Sequence, residues 1–315
     1  MPLAYIFPGQ GSQFPGMGKN LAENFSVARL LFEEANDSVG FSILRLCFSG
    51  PDESLQLTEN TQPAILTTSV ATLRVMQSEG FPAPDYVAGH SLGEYSALVA
   101  AGAVPFSEAV RTVRLRGRYM QEAVPVGTGA MAAVMGAALS DIERVCAEAS
   151  QNQVCAPANI NSANQVVIAG HSEAIDRAAE MLKSLGARRV IKLNVSAPFH
   201  CALMKPAQER LEQDLETVNF SDLNTPLVTN VDAVEITSGT AARDSLTRQV
   251  SSPVRWLESI ELMIANGSDT FVEIGPGKVL SGLLRQINRE VRSLNVEDAD
   301  SLKVAGKDLG VFKRL

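Results

Sequence analysis

The strongest constraint on the fold lies in residues 85–102, where the apolar run DYVAG meets the helical pattern YSALVAAG through the pentapeptide GHSLG. An apolar run, a tight turn and a helix in this order are typical of a parallel α/β sheet. Gly89 and Gly93 allow the sharp turn that exposes the central Ser91, as a nucleophile elbow requires. A serine that caps an ordinary helix is the alternative, and the pentapeptide alone leaves both open.

Apolar runs also occur near both ends of the chain. LAYIF and DTFVEIGPG predict buried strands, and a long helical region is expected between residues 17 and 80. These patterns predict an α/β fold in which residues 1–126 and 197–315 form a parallel-sheet, α/β-hydrolase-like large domain.

The segment between these two parts has a different pattern. Residues 127–196 contain, in order, the segments AMAAVMG, SDIERVCAEAS, APANIN, QVVIAG, SEAIDRAAEMLKSLG and RRVIKLNV. The periodicity predicts strand, helix, strand, strand, helix and strand, which is the order of a ferredoxin-like module. We therefore predict an inserted ferredoxin-like small subdomain, with a ligand cleft between the two units.

Charge and cysteine usage narrow the classes of partner. The net charge of −8 disfavours binding to nucleic acid or to an anionic membrane. The four cysteines lack the spacing of a zinc site, and the N-terminus lacks the pattern of a signal peptide. We expect a cytoplasmic monomer that carries no metal, binds no nucleic acid and enters no membrane.

A reactive serine needs a base, and the chain has three histidines. His90 is adjacent to Ser91, so its side chain points elsewhere and is expected to shape the elbow. His171 lies at the start of a helical pattern in the small subdomain. His200, in NVSAPFHC, lies where the chain returns to the large domain, and we predict that it is the base. The pattern does not identify the group that orients its imidazole.

The predicted helix FSEAVRTVRLRGRYM carries four arginines. Arg111, Arg114 and Arg118 share one face, whereas Arg116 lies on the apolar side. A buried guanidinium without a partner is costly, so Arg116 needs an anion. A protein carboxylate and the carboxylate of a substrate both meet this need.

Seven segments carry a family resemblance that runs through nearly the whole chain. They are IFPGQGSQ, TENTQPAILTTS, GHSLGEYSAL, VRLRGRYMQ, ANINSANQVVIAG, VSAPFHC and FVEIGPGKVL. In this order they resemble the malonyl-CoA:acyl carrier protein transacylases of the acyltransferase family. The resemblance implies malonyl-CoA as substrate, an acyl carrier protein as partner and no cofactor beyond the coenzyme A thioester. It leaves fatty acid and polyketide synthesis both open.

The resemblance also implies roles for individual residues. Ser91 would carry the malonyl ester, His200 would move the proton, and Gln249 would orient the imidazole through a carbonyl. The backbone N–H groups of Gln10 and Leu92 would form the oxyanion hole. The substrate-binding positions would be Arg116, Asn159, Asn161, Phe199 and His90.

Docking of an acidic carrier protein to this acidic chain would require a local basic area. The candidate residues are Lys183, Arg188, Arg189, Lys192, Lys278, Arg285 and Arg289.

Two other classes of function compete with acyl transfer. A serine hydrolase of the α/β-hydrolase type would need an acid between Ser91 and a late histidine, together with an HGGG-like loop, and that loop is absent. A silent scaffold or binding module would leave Ser91 unacylated.

Overall fold

The computed structural model describes residues 2–195 and 197–313. Residue 1, residue 196 at the predicted domain boundary, and residues 314–315 lie outside the described part. The strands are β1 (Leu3–Phe7), β2 (Tyr86–Gly89), β3 (Gly129–Met135), β4 (Cys155–Ser162), β5 (Gln165–His171), β6 (Arg189–Lys192), β7 (Leu227–Val228), β8 (Glu235–Ile236), β9 (Thr270–Ile274) and β10 (Arg292–Val296).

Helices form most of the remaining described chain. The α-helices are α1 (Lys19–Asn24), α2 (Ser26–Val39), α3 (Ile43–Ser49), α4 (Asp52–Leu55), α5 (Thr58–Ser78), α6 (Gly93–Ala100), α7 (Phe106–Glu122), α8 (Leu139–Ser150), α9 (Ser172–Ser184), α10 (Lys205–Leu215), α11 (Gly239–Gln249), α12 (Trp256–Ala265), α13 (Val279–Ile287) and α14 (Ala299–Asp308). A short 3₁₀ helix spans Ala202–Met204.

The large sheet has six strands in the order β10-β9-β1-β2-β7-β8. Five strands are parallel, as the sequence predicts, but the edge strand β8 is antiparallel to β7. The prediction of a fully parallel sheet is therefore wrong at this edge. β7 and β8 are joined by a short turn, in which the N–H of Thr229 donates to the carbonyl of Val234 at 3.0 Å. A connection this short can only form a hairpin, because a parallel pair needs a crossover of a dozen residues or more.

The region between residues 17 and 80 is helical, but it is divided into the five helices α1 to α5. Gly40 and Gly50 both have a φ of 73°, which ends α2 and α3 in the left-handed region. The last of the five, α5, is buried along nearly its whole length between the neighbouring helices and the sheet. These helices form one wall of the main core.

The second sheet is antiparallel, in the order β4-β5-β3-β6. Its two faces differ in what they bury, because side chains alternate along a strand. On β3, Ala132 and Val134 pack with Ile142 of α8, whereas Met131 and Ala133 pack into the main core. The sheet is thus covered by α8 and α9 on one side and rests against the large sheet's layer on the other.

The large sheet brings the loops after β1 and β2 to one edge. The two strands are parallel neighbours, with Phe7 opposite Gly89. The loop that begins at Pro8 and the loop that begins at His90 therefore emerge side by side, and the N–H of His90 donates to the carbonyl of Phe7 at 3.0 Å. Ligands of parallel α/β sheets bind at this carboxyl edge.

Among the described residues, no helix combines the length and the apolar character needed to cross a membrane.

Glu273 provides a test of how β9 is joined to α13. Its carboxylate is fully buried and accepts hydrogen bonds from the N–H groups of Leu280 at 3.0 Å and Ser281 at 2.7 Å. We expect Glu273→Ala to lower the free energy of unfolding by about 2–3 kcal/mol, because two buried N–H groups lose their acceptor. Urea denaturation measures the change. The exposed Glu261→Ala is the control, and a loss for Glu273→Ala as small as that of the control would contradict the assignment.

Candidate active site

Ser91 lies on a strained turn between β2 and α6. Its φ is 52°, in the left-handed region that residues other than glycine seldom adopt. A Cβ atom on Gly89 would lie 1.9 Å from the carbonyl carbon of Gly93, and one on Gly93 would lie 2.0 Å from the carbonyl oxygen of Phe7. The close approach of these backbones requires both glycines. It is the strand, turn and helix that the GHSLG segment predicts.

Asn230, two residues after the end of β7, holds this turn in place. Its Oδ1 accepts a hydrogen bond from the N–H of Ser91 at 2.6 Å, and its Nδ2 donates to the carbonyl of Gly89 at 2.7 Å. Sequence reasoning missed this residue. The available signal was a polar side chain that follows the short apolar run LVT, because such a residue lies at the carboxyl edge when the run is a parallel strand.

The hydroxyl of Ser91 contacts the imidazole of His200. Ser91 Oγ lies 2.7 Å from His200 Nε2, and His200 Nδ1 lies 2.9 Å from the backbone oxygen of Gln249. A carbonyl can only accept a hydrogen bond, so Nδ1 carries the proton and Nε2 is free to accept the one from Ser91. The hydrolase alternative expects a carboxylate at Nδ1, and the structure has a carbonyl there.

The imidazole of His200 is held in its neutral form. Burial and, to a smaller extent, the positive charge of Arg116 lower the pKa of His200 to about 3. The bond to the Gln249 carbonyl acts in the opposite direction. The base is therefore ready to accept a proton throughout the neutral range.

Arg116 is the third side chain of the site, beside Ser91 and His200. It lies on α7 and is 1% exposed, whereas Arg111, Arg114 and Arg118 of the same helix are exposed or half-buried, as the helical spacing predicts. Its Nη1 donates to Oε1 of Gln62 at 2.7 Å, and its Nη2 donates to Ser91 Oγ at 3.1 Å.

The guanidinium of Arg116 has no ion pair in the described chain. Its Nη2 also donates to Oε1 of Gln249 at 2.8 Å, so its hydrogen-bond acceptors among the described residues are all neutral. Its buried Nε has no hydrogen-bond acceptor among the described residues. Burial lowers the pKa of Arg116, and Tyr95 and Glu94 raise it. The site thus contains a buried cation that lacks a directly bound anion.

Gln249, at the end of α11, also contributes its side chain. While its backbone oxygen faces His200, its Nε2 donates to the carbonyl of Ser91 at 3.0 Å and to Oε2 of Glu94 at 3.0 Å. This residue is fully buried. It joins the serine, the histidine and the arginine in one network.

A cavity of about 330 Å³ opens in front of these groups. Its lining includes Ser91, His200, Arg116, Gln10, Leu92, His90, Asn159, Phe199, Gln62, Met120 and Met131. The backbone N–H groups of Gln10 and Leu92 have no acceptor within the described residues, and both residues line the cavity. The structure therefore brings most of the predicted site residues to one place.

Asn161, predicted to bind the substrate, is not among the described residues that line this cavity, but it contacts His90, which does line it. Its Oδ1 is 2.9 Å from His90 Nε2, and the ring of His90 packs 5.5 Å from that of Trp256. Asn159, two residues earlier on β4, does line the cavity. In a regular strand, residues two positions apart point to the same face, as Asn159 and Asn161 would. The bulges of β4, between Pro157 and Asn159 and between Ile160 and Ser162, change this alternation. Asn161 and His90 thus join the small sheet to the elbow.

A larger cavity, of about 910 Å³, lies between α9 and strands β3 and β6 of the small sheet, and Ser91 does not line it. Its charged lining is already paired in part, since Lys183 is 3.2 Å from Glu180 and Lys192 is 2.9 Å from Asp176. Nothing in it resembles a reacting centre. Across the described ranges, no group of three or more His, Cys, Asp or Glu side chains could hold a metal ion.

Comparison with known proteins shows the family to which the chain belongs. Residues 4–313 match the model of the acyl transferase domain family, so the chain belongs to that family. It is 50% identical over 284 residues to the malonyl CoA-acyl carrier protein transacylase of Escherichia coli strain K12, covering 90% of this chain and 92% of the relative. The chain belongs with the malonyl CoA-acyl carrier protein transacylases of the family.

Solved structures give the same result. The malonyl CoA-acyl carrier protein transacylase of Coxiella burnetii superposes with a TM-score of 0.96 at 43% identity and 98% coverage of both chains. A second structure, a type II PKS acyl-carrier protein in complex with its malonyl-transacylase, matches with a TM-score of 0.96 at 47% identity, covering 98% of this chain and 100% of that one.

The low pKa of His200 predicts how the reactivity of Ser91 depends on pH. We expect the rate at which a neutral sulfonyl fluoride modifies Ser91 to stay constant between pH 8 and pH 5, because a base with a pKa of about 3 remains unprotonated there. A neutral reagent adds no titration of its own. Intact mass against time gives the rate, and a fall with a midpoint near the ordinary histidine value of about 6.5 would contradict the assignment.

Proposed function

We propose that the protein transfers the malonyl group of malonyl-CoA to the phosphopantetheine thiol of an acyl carrier protein through an ester on Ser91. The observation that carries the proposal is the buried guanidinium of Arg116, which shares a cavity with Ser91 and His200 and has no carboxylate bound to it in the described chain. A malonyl thioester brings such a carboxylate. The product supplies fatty acid or polyketide synthesis.

In the first half of the reaction, Ser91 is acylated. His200 Nε2 takes the hydroxyl proton as Ser91 Oγ bonds to the thioester carbon. The oxygen that becomes negative is stabilised by the N–H groups of Gln10 and Leu92, which have no acceptor among the described residues. The carbon–sulfur bond then breaks, and coenzyme A leaves with the proton from His200.

In the second half, the carrier thiol takes the place of coenzyme A. It gives its proton to His200, its sulfur bonds to the ester carbon, and Ser91 Oγ leaves and regains the proton. Throughout both halves, the carbonyl of Gln249 holds His200 Nδ1. The substrate carboxylate replaces Ser91 Oγ as an acceptor for Arg116, and this orients the reacting carbonyl towards the serine.

The remaining side chains of the cavity are assigned to binding. Asn159 and Phe199 would contact the acyl group and the thioester arm, and the Phe199 ring would limit space for an α-methyl branch. His90 and Asn161 would act together by fixing the position of the elbow.

The proposal includes a division of the chain into two units. Residues 1–126 and 197–315 would form an α/β-hydrolase-like domain, and residues 127–196 would form a ferredoxin-like subdomain. The strand order β4-β5-β3-β6, with two helices on one face, supports the second assignment. We propose that the protein works as a cytoplasmic monomer.

We propose that the carrier protein docks at the exposed arginines among the seven basic residues that the sequence analysis names. Lys278 lies 3.5 Å from Glu297, and Lys183 and Lys192 are also paired with carboxylates. The exposed members without an ion pair to another described residue are Arg188, Arg189, Arg285 and Arg289. These four are free to bind an acidic partner.

Intact-mass measurement tests the reaction directly. We expect malonyl-CoA to add one malonyl group to the wild-type chain and none to Ser91→Ala, because the ester forms on this hydroxyl. Addition of a carrier protein in its phosphopantetheine form should remove the adduct and add the same mass to the carrier. An adduct that forms on Ser91→Ala, or that the carrier does not remove, would contradict the proposal.

Arg116→Ala tests the carboxylate clamp. We expect kcat/KM for malonyl-CoA to fall by about a thousandfold and that for acetyl-CoA by less than about tenfold, since only the malonyl group uses the guanidinium. Arg111→Ala, an exposed arginine of the same helix, is the matched control and should keep both values. Equal losses for the two substrates in Arg116→Ala would show that the residue has a structural role instead.

A further inference from the structure

Glu94 is a fully buried carboxyl group that the proposed mechanism does not use. It lies in the first turn of α6, three residues after Ser91, and is 0% exposed. Its Oε2 accepts from the N–H of Asn230 at 2.9 Å and from Nε2 of Gln249 at 3.0 Å, and its Oε1 accepts from Ser245 Oγ at 3.1 Å. A carboxyl group with this burial needs a compensating charge or a function.

One amide connects Glu94 to the cation of the site. Arg116 Nη2 donates to Oε1 of Gln249, and Nε2 of the same side chain donates to Oε2 of Glu94. The charges of Glu94 and Arg116 stabilise each other, since Arg116 lowers the pKa of Glu94 and Glu94 raises that of Arg116. The carboxylate therefore acts on the guanidinium without a direct ion pair.

We propose that Glu94 is a positioning residue that serves as the internal counter-charge of Arg116, acting through the side-chain amide of Gln249. This inference rests on the proposed function, in which Arg116 binds the malonyl carboxylate. By accepting from Nε2 of Gln249, Glu94 fixes the orientation of that side-chain amide. The amide oxygen then faces Arg116, and the amide nitrogen faces the carbonyl of Ser91. It also stabilises the buried cation when no substrate is bound.

The arrangement limits how tightly the site binds a carboxylate. A substrate carboxylate is the second negative charge near one guanidinium, so Glu94 opposes its binding. An enzyme that binds the malonyl group too tightly gains nothing in rate, because uniform binding does not lower the barrier of the chemical step. Removal of the Glu94 charge should therefore strengthen the binding of anions.

Glu94→Gln removes the charge and keeps the hydrogen bonds. The new amide oxygen can accept from Asn230 and Gln249, and the new amide nitrogen can donate to the hydroxyl of Ser245. Burial raises the pKa of Glu94 to about 7, against the hydrogen bonds and the charge of Arg116. The comparison is made at pH 8.5, where the wild-type carboxyl is ionised.

The experiment measures inhibition by free malonate and the KM for malonyl-CoA. We expect Glu94→Gln to lower the malonate inhibition constant and the KM for malonyl-CoA about fivefold each, with kcat no higher than in the wild type. In an Arg116→Ala background the same substitution should leave the KM for malonyl-CoA unchanged. Glu273→Gln, which neutralises the buried carboxyl on β9, is the control and should change neither quantity.

A different result would overturn the inference. If Glu94 had only a structural role, Glu94→Gln would raise the KM and weaken malonate inhibition, or its effect would persist without Arg116. The proposed function fails separately, when the wild-type chain forms no malonyl adduct on Ser91. An adduct on Ser91 together with an unchanged malonate inhibition constant in Glu94→Gln would reject this inference alone.

A measurement on the wild type covers the case in which Glu94→Gln does not fold. Among the described residues, the charged side chain that acts on Glu94 is Arg116 on α7, and an arginine keeps its proton in proteins. Tyr95, the next residue of the same helix, also keeps its proton at pH 7.5, because burial raises its pKa. His90 and His200 remain neutral, because burial lowers the pKa of both. Calorimetry in two buffers should show that malonate binding takes up a fraction of a proton at pH 7.5, and the absence of uptake would overturn the inference.

Discussion

The buried guanidinium of Arg116 sets the requirements that the surrounding structure meets. A cation at 1% exposure costs several kcal/mol unless oxygen atoms surround it. The fold supplies the amide oxygens of Gln62 and Gln249 and the hydroxyl of Ser91, all of them neutral. Because none of these is an anion, the cation keeps its attraction for a carboxylate that enters the cavity. Burial lowers the pKa of His200 most, and the same charge lowers it as well, so the base stays unprotonated.

Sheet topology explains why groups so distant in the chain meet here. Gln10 follows β1, Ser91 follows β2 and Asn230 follows β7, and these three strands are parallel neighbours in the order β1-β2-β7. Their carboxyl ends form one edge, where loops are free to carry chemistry. The small sheet covers this edge from one side through Asn159 and Asn161. Its inward face belongs to the main core, so the cavity lies between two packed layers.

Local patterns predicted the parts of this site that a short segment defines. The GHSLG segment predicted the elbow, and the helical spacing predicted that Arg116 turns inward. Asn230 and Glu94 were missed because their roles depend on contacts with residues that lie at least 136 positions away in the sequence. Nothing in the segment around Glu94 indicates such a contact, and the position of Asn230 after the LVT run indicates only that it lies at the carboxyl edge of the sheet. The antiparallel β8 and the helices α10 to α12 were also not predicted, since the chain between residues 201 and 265 lacks a repeated order of strands and helices.

The central claim is that one cavity holds the hydroxyl, the base and the cation in positions that fit a malonyl group. A crystal structure of the Ser91 malonyl ester tests it most directly. The account predicts that the malonyl carboxylate lies within hydrogen-bond distance of the Arg116 guanidinium, with the ester oxygen facing the N–H groups of Gln10 and Leu92. A carboxylate that points into solvent, with the Arg116 contacts to Gln62 and Gln249 unchanged and no bond to the substrate, would contradict it.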